Sequence, residues 1–343
     1  MRGRLLLVVL ACLVVVPAGW AQSFDIVQVA PGVYGAVGRT GVASNGAFIV
    51  NQDDVLVVDT HLRPSWARDL VAEIRKVTDK PVRYVVNTHW HNDHTQGNQV
   101  YVNVFGKGVE YLAQHTARED ILNKAIPSVQ QALQNMPNQI ARMETALAEG
   151  KDLQGNALTD ETRARLQQQL ASQKSYLEEL KQIQITLPTL TFERSLILHK
   201  PDRPIHIYYF GKGHTRGDVV VYLPQEKMVI TGDLLTNGIP FMRDAYPSQW
   251  IDVLESIQRL DWSQASTGHG PVQPGKGQLE KLIAYMKDMV AAVRGAIAKG
   301  MTLDDAKKAI DLSKHSANFP NFATGNTQAI ERTWAELTGQ IKD

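Results

Sequence analysis

The chain has 343 residues, of which 43% are hydrophobic and 21% charged, the composition of an ordinary globular protein able to bury one large core or two moderate ones. Its 36 basic and 35 acidic residues leave a formal net charge of +1, so no charge excess points to a nucleic-acid or acidic-surface partner.

Residues 1–21, MRGRLLLVVLACLVVVPAGWA, read as a secretory signal peptide: Arg2 and Arg4 lead, Leu5 to Val16 form a short apolar core, and Gly19-Trp20-Ala21 offers small residues for cleavage after Ala21. A membrane span needs about twenty uninterrupted apolar residues, and Pro17 and Gly19 end this run early. No span is therefore expected after cleavage, and the destination is periplasmic or secreted. Cys12 is followed by apolar Leu13 to Val16, where a lipidated cysteine would start a polar mature chain, so it is read as filler in the signal. Removing Arg2 and Arg4 takes the 36 basic residues to 34 against 35 acidic, a net charge near minus one. Cys12 is the only cysteine, so the mature chain has no disulfide or thiol chemistry, and any metal site must be built from nitrogen and oxygen.

Beyond the signal, Val33 to Val37, Gly46 to Val50 and Val55 to Val58 are apolar runs separated by turn residues and read as strands. Residues 64–79 carry Trp66, Leu70, Val71, Ile74 and Val77 at helical spacing, with Ser65 near the start, before a buried strand over Val82 to Val86. A second strand set covers Ile205 to Phe210, Val219 to Leu223 and, after a Pro224-Gln225-Glu226-Lys227 turn, Met228 to Thr231. Helices are predicted at about 248–259, 277–298 and 303–311.

Between these halves, about 120–187, the chain is rich in Gln, Ala, Glu and Lys. Ile140, Met143 and Leu147 mark one helical face that stops at Gly150; Leu166, Leu170, Leu177, Leu180 and Ile183 mark another after Thr159. Two antiparallel helices are expected, either as a solvated arm packed on the body or as a lid or partner surface beside the site.

The strand over Val82 to Val86 runs into Thr88-His89-Trp90-His91-Asn92-Asp93-His94, three of the chain's ten histidines and an aspartate in six positions. Side chains at alternate positions of extended backbone share a face, so His89 and His91 can reach one ion, while Asp93 and His94 turn toward a second only if the chain curls into a helix there. Four ligands are too few for two ions. His214 follows the strand ending at Phe210, Asp233 follows Met228 to Thr231, and His269 lies in Thr267-Gly268-His269-Gly270; each has a neighbouring glycine that allows a tight turn at a strand end. His61, His115, His199, His206 and His315 share no such pattern and are read as structural.

This H-x-H-x-D-H, later His, later Asp and final His resembles the metallo-beta-lactamase superfamily, in the family's order, from about Phe24 to the His269 region apart from the helical stretch. The resemblance implies an α/β fold of the αββα sandwich type, with residues 22–343 as one metallo-beta-lactamase-like domain carrying an inserted helical hairpin. It also implies that His89, His91 and His214 hold one metal, that Asp93, His94 and His269 hold another, that Asp233 bridges both, and that Asp59 supports the site from behind. The imidazole and carboxylate donors argue for two zinc ions, although iron and manganese accept the same donors. The implied reaction is attack on a small-molecule carbonyl by hydroxide held between the ions, with Asp93 the candidate catalytic residue that orients it and passes a proton to the leaving group.

Gly211 to Pro224, GKGHTRGDVVVYLP, resembles the corresponding stretch of the cysteine-containing true beta-lactamases. That subclass has cysteine at the position of Asp233 and a carboxylate-gripping lysine just after it, for which Leu234-Leu235-Thr236-Asn237 offers no counterpart. A bridging Asp233 is instead similar to glyoxalase II and the lactone-hydrolysing members, so lactam, lactone, ester and thioester cleavage all stay open. Arg216, Lys212 and Arg243 are candidates to meet an anionic substrate group, and Trp90 either walls the pocket or packs beneath it. Iron-dependent persulfide oxidation shares most of this ligand set; a non-enzymatic role for the hairpin in binding a partner is the third possibility. Nothing in the sequence fixes the oligomeric state.

Overall fold

The computed structural model describes residues 22–341, so the signal-peptide reading of residues 1–21 lies outside the described residues. Two mixed sheets face each other. The first runs in the order β1 (Phe24–Ala30), β2 (Val33–Gly38), β3 (Gly46–Val50), β4 (Val55–Val58), β5 (Val82–Val86), β6 (Glu110–Gln114) and β7 (Leu190–Phe192). The second contains β8 (Ser195–His199), β9 (Pro204–Tyr208), β10 (Val220–Leu223), β11 (Met228–Ile230), β12 (Gln264–Ser266) and β13 (Gln273–Pro274), in spatial order from β13 back to β8.

Every residue of β4 is buried because both faces of its sheet are covered. Val55 and Val57 pack outward against α1 (Pro64–Val77), through Leu70 and Ile74, while Leu56 and Val58 pack inward against Ile205, Ile207 and Val221 of the other sheet. In β10, Val221 and Leu223 face the sheet interface, whereas Val220 and Tyr222 face the outer helices. Each fully buried Leu, Ile or Val contributes about 1.5–3 kcal/mol of transfer free energy. The result is an αββα sandwich: α1 with α2 (Asn92–Thr95) and α3 (Asn98–Phe105) on one side, and α7 (Pro247–Arg259), α8 (Gly277–Ala298), α9 (Leu303–Ala309) and α10 (Phe322–Leu337) on the other.

Between β6 and β7 runs α4 (His115–Asp120), a π-helical turn at Ile121–Ala125, α5 (Ile126–Glu149) and α6 (Asp160–Leu180). Gly150 ends α5 in the left-handed conformation at φ 70°, and Thr159 caps α6 by accepting from Thr162 N. Val129, Met136 and Ile140 of α5 meet Leu177 and Leu180 of α6 in a small core of their own. The stretch read as two helices therefore starts earlier, as a nearly continuous helical run from His115. Other boundaries shift by a few residues: α1 ends at Val77 and α9 at Ala309. Ser65 does not cap α1; its hydroxyl donates to Glu179 of α6 at 3.0 Å and ties the hairpin to the body. Among the described residues no helix is long and apolar enough to cross a membrane.

Candidate metal centre

The parallel pair β4 and β5 ends at one edge of the first sheet, and the parallel pair β11 and β12 ends at one edge of the second. Asp59 follows β4, His89 to His94 follow β5, His214 follows β9, Asp233 follows β11 and His269 follows β12. Side chains from the carboxyl ends of strands thus meet in one crevice. Two glycines permit that approach. A Cβ on Gly232 would lie 2.3 Å from Thr88 Oγ1, and one on Gly268 would lie 1.9 Å from Asp233 Oδ1.

All seven metal-ligand candidates come together, in two groups. In the first, His89 Nε2 and His214 Nε2 lie 3.1 and 2.9 Å from His91 Nδ1, and Asp233 Oδ2 is 3.4 Å from His214 Nε2. In the second, His269 Nε2 and His94 Nε2 each lie 3.5 Å from Asp93 Oδ2, and Asp233 Oδ1 is 3.2 Å from the former and 3.4 Å from the latter. Donors about 2.1 Å from a shared tetrahedral ion are about 3.4 Å apart, and the donor atoms of each group here all lie within 4.8 Å of one another. Asp233 presents one carboxylate oxygen to each group.

The ring nitrogens that face inward are fixed from behind. Asp59 Oδ2 accepts from His94 Nδ1 at 2.7 Å and from the Thr88 hydroxyl at 2.7 Å, and Asp59 Oδ1 accepts from Thr88 N at 2.8 Å. With its proton given to Asp59, the Thr88 oxygen is left to accept from His89 Nδ1 at 3.0 Å, which leaves the Nε2 lone pair of His89 pointing into the crevice. His91 Nε2 donates to Asp244 Oδ2 at 3.0 Å, which leaves its Nδ1 facing the first group. Asp244 escaped the sequence reading because it sits in an irregular stretch ahead of α7, with no motif or periodicity around it.

Burial holds His89 well below the usual imidazole pKa and His214 down to about 3, so both rings present lone pairs at neutral pH. Burial also opposes charge on His94, but Asp93, Asp233 and Asp59 outweigh it and hold that ring well above the usual value. Burial would raise Asp93, yet His94 and His269 bring it down to about 2. His94 Nε2 and Asp233 Oδ1 are buried without a hydrogen-bond partner, both in the second group. Unsatisfied buried donors and acceptors are costly, and a cation that displaces the His94 Nε2 proton at this point satisfies both.

A cavity of about 380 Å³ opens over the two groups, lined by Trp90, His91, Asn92, Asp93, Ser128, Asp233, Phe241, Arg243, Asp244 and His269. Trp90 serves both alternatives left open for it: it lines this cavity and packs on Ile121 and Ala125 of the π-helical turn. Ser128, in the first turn of α5, accepts from Asn92 Nδ2 at 3.2 Å, so the base of the hairpin forms part of the wall. Arg216 is committed elsewhere: its guanidinium pairs with Asp120 at 2.9 Å and Glu119 at 3.1 Å, fastening α4 to the loop that carries His214. Lys212 lies over the Tyr246 ring at 4.8 Å and does not line the cavity. Of the three cations considered for substrate, Arg243 alone lines it. His61, read as structural, is fully buried at φ 69° against Phe24, 4.4 Å between ring centroids.

Layers, strand-end crevice and paired donor sets define an αββα sandwich with a candidate two-metal centre at its edge. A family model described as the metallo-beta-lactamase superfamily matches residues 39–119 and 157–269, more than half of the chain. The protein belongs to the metallo-beta-lactamase superfamily and is an enzyme of that superfamily. It is similar to the linear primary-alkylsulfatase of Pseudomonas sp. (strain ATCC 19151), 22% identical across 78% of this chain, which spans only 50% of that relative's length. The Bacillus cereus metallo-beta-lactamase type 2 is 22% identical, with 67% of this chain and 68% of the relative covered. The fold also matches the metallo-beta-lactamase FIM-1 from Pseudomonas aeruginosa in its mono-zinc form, at TM-score 0.52 and 18% identity over 77% of this chain and 94% of that one.

Proposed function

We propose that the protein is an exported, dinuclear, zinc-dependent hydrolase acting on a small molecule with a lactam, lactone, ester or thioester carbonyl. One observation carries the reading: Asp233 directs Oδ2 toward the His214 group and Oδ1 toward the His94 and His269 group. His89, His91 and His214 with Asp233 would hold one ion, and Asp93, His94 and His269 with the same aspartate the other. The all-nitrogen-and-oxygen donor set suits zinc. When bound, such a pair supplies ionisation of water near neutral pH and polarisation of a substrate oxygen. Export rests on the composition of residues 1–21.

The chain's own groups divide the remaining work. Asp93 is the ligand candidate whose carboxylate both faces the second group and stays open to the cavity, with its side chain 27% exposed. Its carboxylate would take a proton from the attacking water and return it to the leaving group. Trp90 and Phe241 give the cavity apolar walls that limit competing water. Leu234 and Leu235 are buried, so no cation grips an antibiotic carboxylate from that stretch, which favours a substrate other than a beta-lactam. The similarity to an alkylsulfatase adds sulfate esters to the substrates worth assaying.

Metal-quantified protein assayed on beta-lactams, lactones, thioesters, carboxylic esters and sulfate esters tests this reading, with H91A as the contamination control. The expected result is hydrolysis of at least one class by the zinc form, with Asp93→Asn retaining metal in the first group and losing roughly 10²- to 10⁴-fold in turnover. Unchanged turnover in that variant removes the role of Asp93. A zinc form inert on every class, beside an iron form that consumes oxygen with persulfide, replaces hydrolysis with oxidation.

A further inference from the structure

A second cavity, of about 350 Å³, adjoins the one over the metal centre. It is lined by Phe241, Arg243, Gln328, Glu331, Arg332 and Ala335, and Phe241 and Arg243 line both hollows, so the two meet at that pair. Arg332 projects from α10, in the part of the chain beyond the family match.

The guanidinium groups here have no carboxylate partner. Arg332 donates through Nε to Ala245 O at 2.7 Å and forms no ion pair among the described residues. The carboxylates around it are spent on other donors. Glu331 pairs with Lys307 at 2.9 Å, Glu336 accepts from Ser248 N and Oγ at 2.7 and 2.8 Å, and Asp244 accepts from His91. Arg243 lies over the Phe241 ring at 5.4 Å and also forms no ion pair among the described residues. Burial pushes the Arg332 guanidinium below its usual pKa, against the pull of Asp244, Tyr246 and Glu336. A half-buried cation without a close counter-ion is a standing cost that a bound anion removes. Phe241, which borders both hollows, is 44% exposed, an apolar surface where a hydrocarbon body can lie.

We propose that this second cavity is an anion subsite: a substrate whose reacting group lies against Asp93 and Asp233 extends across Phe241 and pairs a distal carboxylate or sulfonate with Arg243 and Arg332. The planar fork of a guanidinium fits the oxygens of either anion bidentately, which a lysine cannot do. This names the substrate class of the proposed hydrolase, an amphipathic molecule with a negative group remote from the bond that is cut, and it rests on the hydrolase reading for the word substrate alone.

Two measurements on the full mature chain separate the subsite from the chemistry. Calorimetric titration of hexanesulfonate into metal-free and zinc-loaded protein should show binding in both forms, weakened about tenfold by R243A and by R332M and restored only in part by R243K. In the zinc form, the ratio of kcat/KM for a nitrophenyl glutarate monoester over nitrophenyl butyrate should fall about tenfold in the same variants. Arg332 also holds the Ala245 carbonyl, so R243A decides the matter if R332M does not fold. No hexanesulfonate binding to the metal-free protein, or binding and ester preference unaltered by R243A, overturns the subsite. Arginine-dependent hexanesulfonate binding without turnover of either ester leaves the subsite standing and counts against the hydrolase.

Discussion

The seven proposed ligands reach one crevice from four separate loops between His89 and His269, whereas the hairpin of α5 and α6 is held chiefly by contacts within itself. Met143 and Ala146 meet Leu166, and Val129, Met136 and Ile140 meet Leu177 and Leu180, without either main sheet. The family model passes from residue 119 to residue 157, so it leaves out α5 but runs on through α6. A centre assembled from both sheets depends on the whole sandwich, while a helical pair with a private core can be added to a loop at small cost. The hairpin and its approach reach the chemistry through Ser128, through the turn beneath Trp90, through the Arg216 clasp on Asp120, and through Tyr176 of α6, whose hydroxyl donates to Gln96 beside the ligand segment at 2.9 Å.

That contrast breaks if residues behind the ligands can be changed freely or if the hairpin core controls the metal. Asp59→Asn and Asp244→Asn should have the larger effects, each weakening zinc about 10- to 100-fold in competition with a chromogenic chelator, because each carboxylate fixes which ring nitrogen of its histidine faces inward. Unchanged zinc affinity in both would mean the rings are held by packing alone. Leu177→Ala should have the smaller effect on the centre. It should loosen the hairpin by about 2–3 kcal/mol in native-state hydrogen exchange, while zinc affinity stays at the wild-type value. A parallel fall in zinc affinity would couple the two regions and end the distinction.

The sequence made the crevice unusually readable, because His89, His91, Asp93 and His94 are contiguous and the distant His214, Asp233 and His269 each stand at a strand end beside glycine. The strands that stood out, such as Val55 to Val58, are buried on both faces and therefore continuous in hydrophobicity. Strands that did not stand out are short or half-exposed: β1 alternates irregularly as FDIVQVA, and β7 and β8 keep mainly exposed or intermediate positions. Helix α10 was also missed, since of the residues it buries, Gly325, Ala329, Ile330 and Thr333, only Ile330 is large and apolar, too little to draw an apolar stripe. Asp244 and Arg332 share that difficulty at the level of function. Their roles come from what lies across the cavity from them, and neither carries a local pattern.

The proposed chemistry requires a pair of cations sharing Asp233. Zinc titration of the metal-free protein, followed by native mass spectrometry, addresses this directly, in wild type and in Asp233→Ala. The prediction is two ions per wild-type chain at saturation, with affinity lost at both positions in the variant, since each oxygen of Asp233 faces a different group. Saturation at a single ion, or two ions bound as tightly without Asp233, would contradict it.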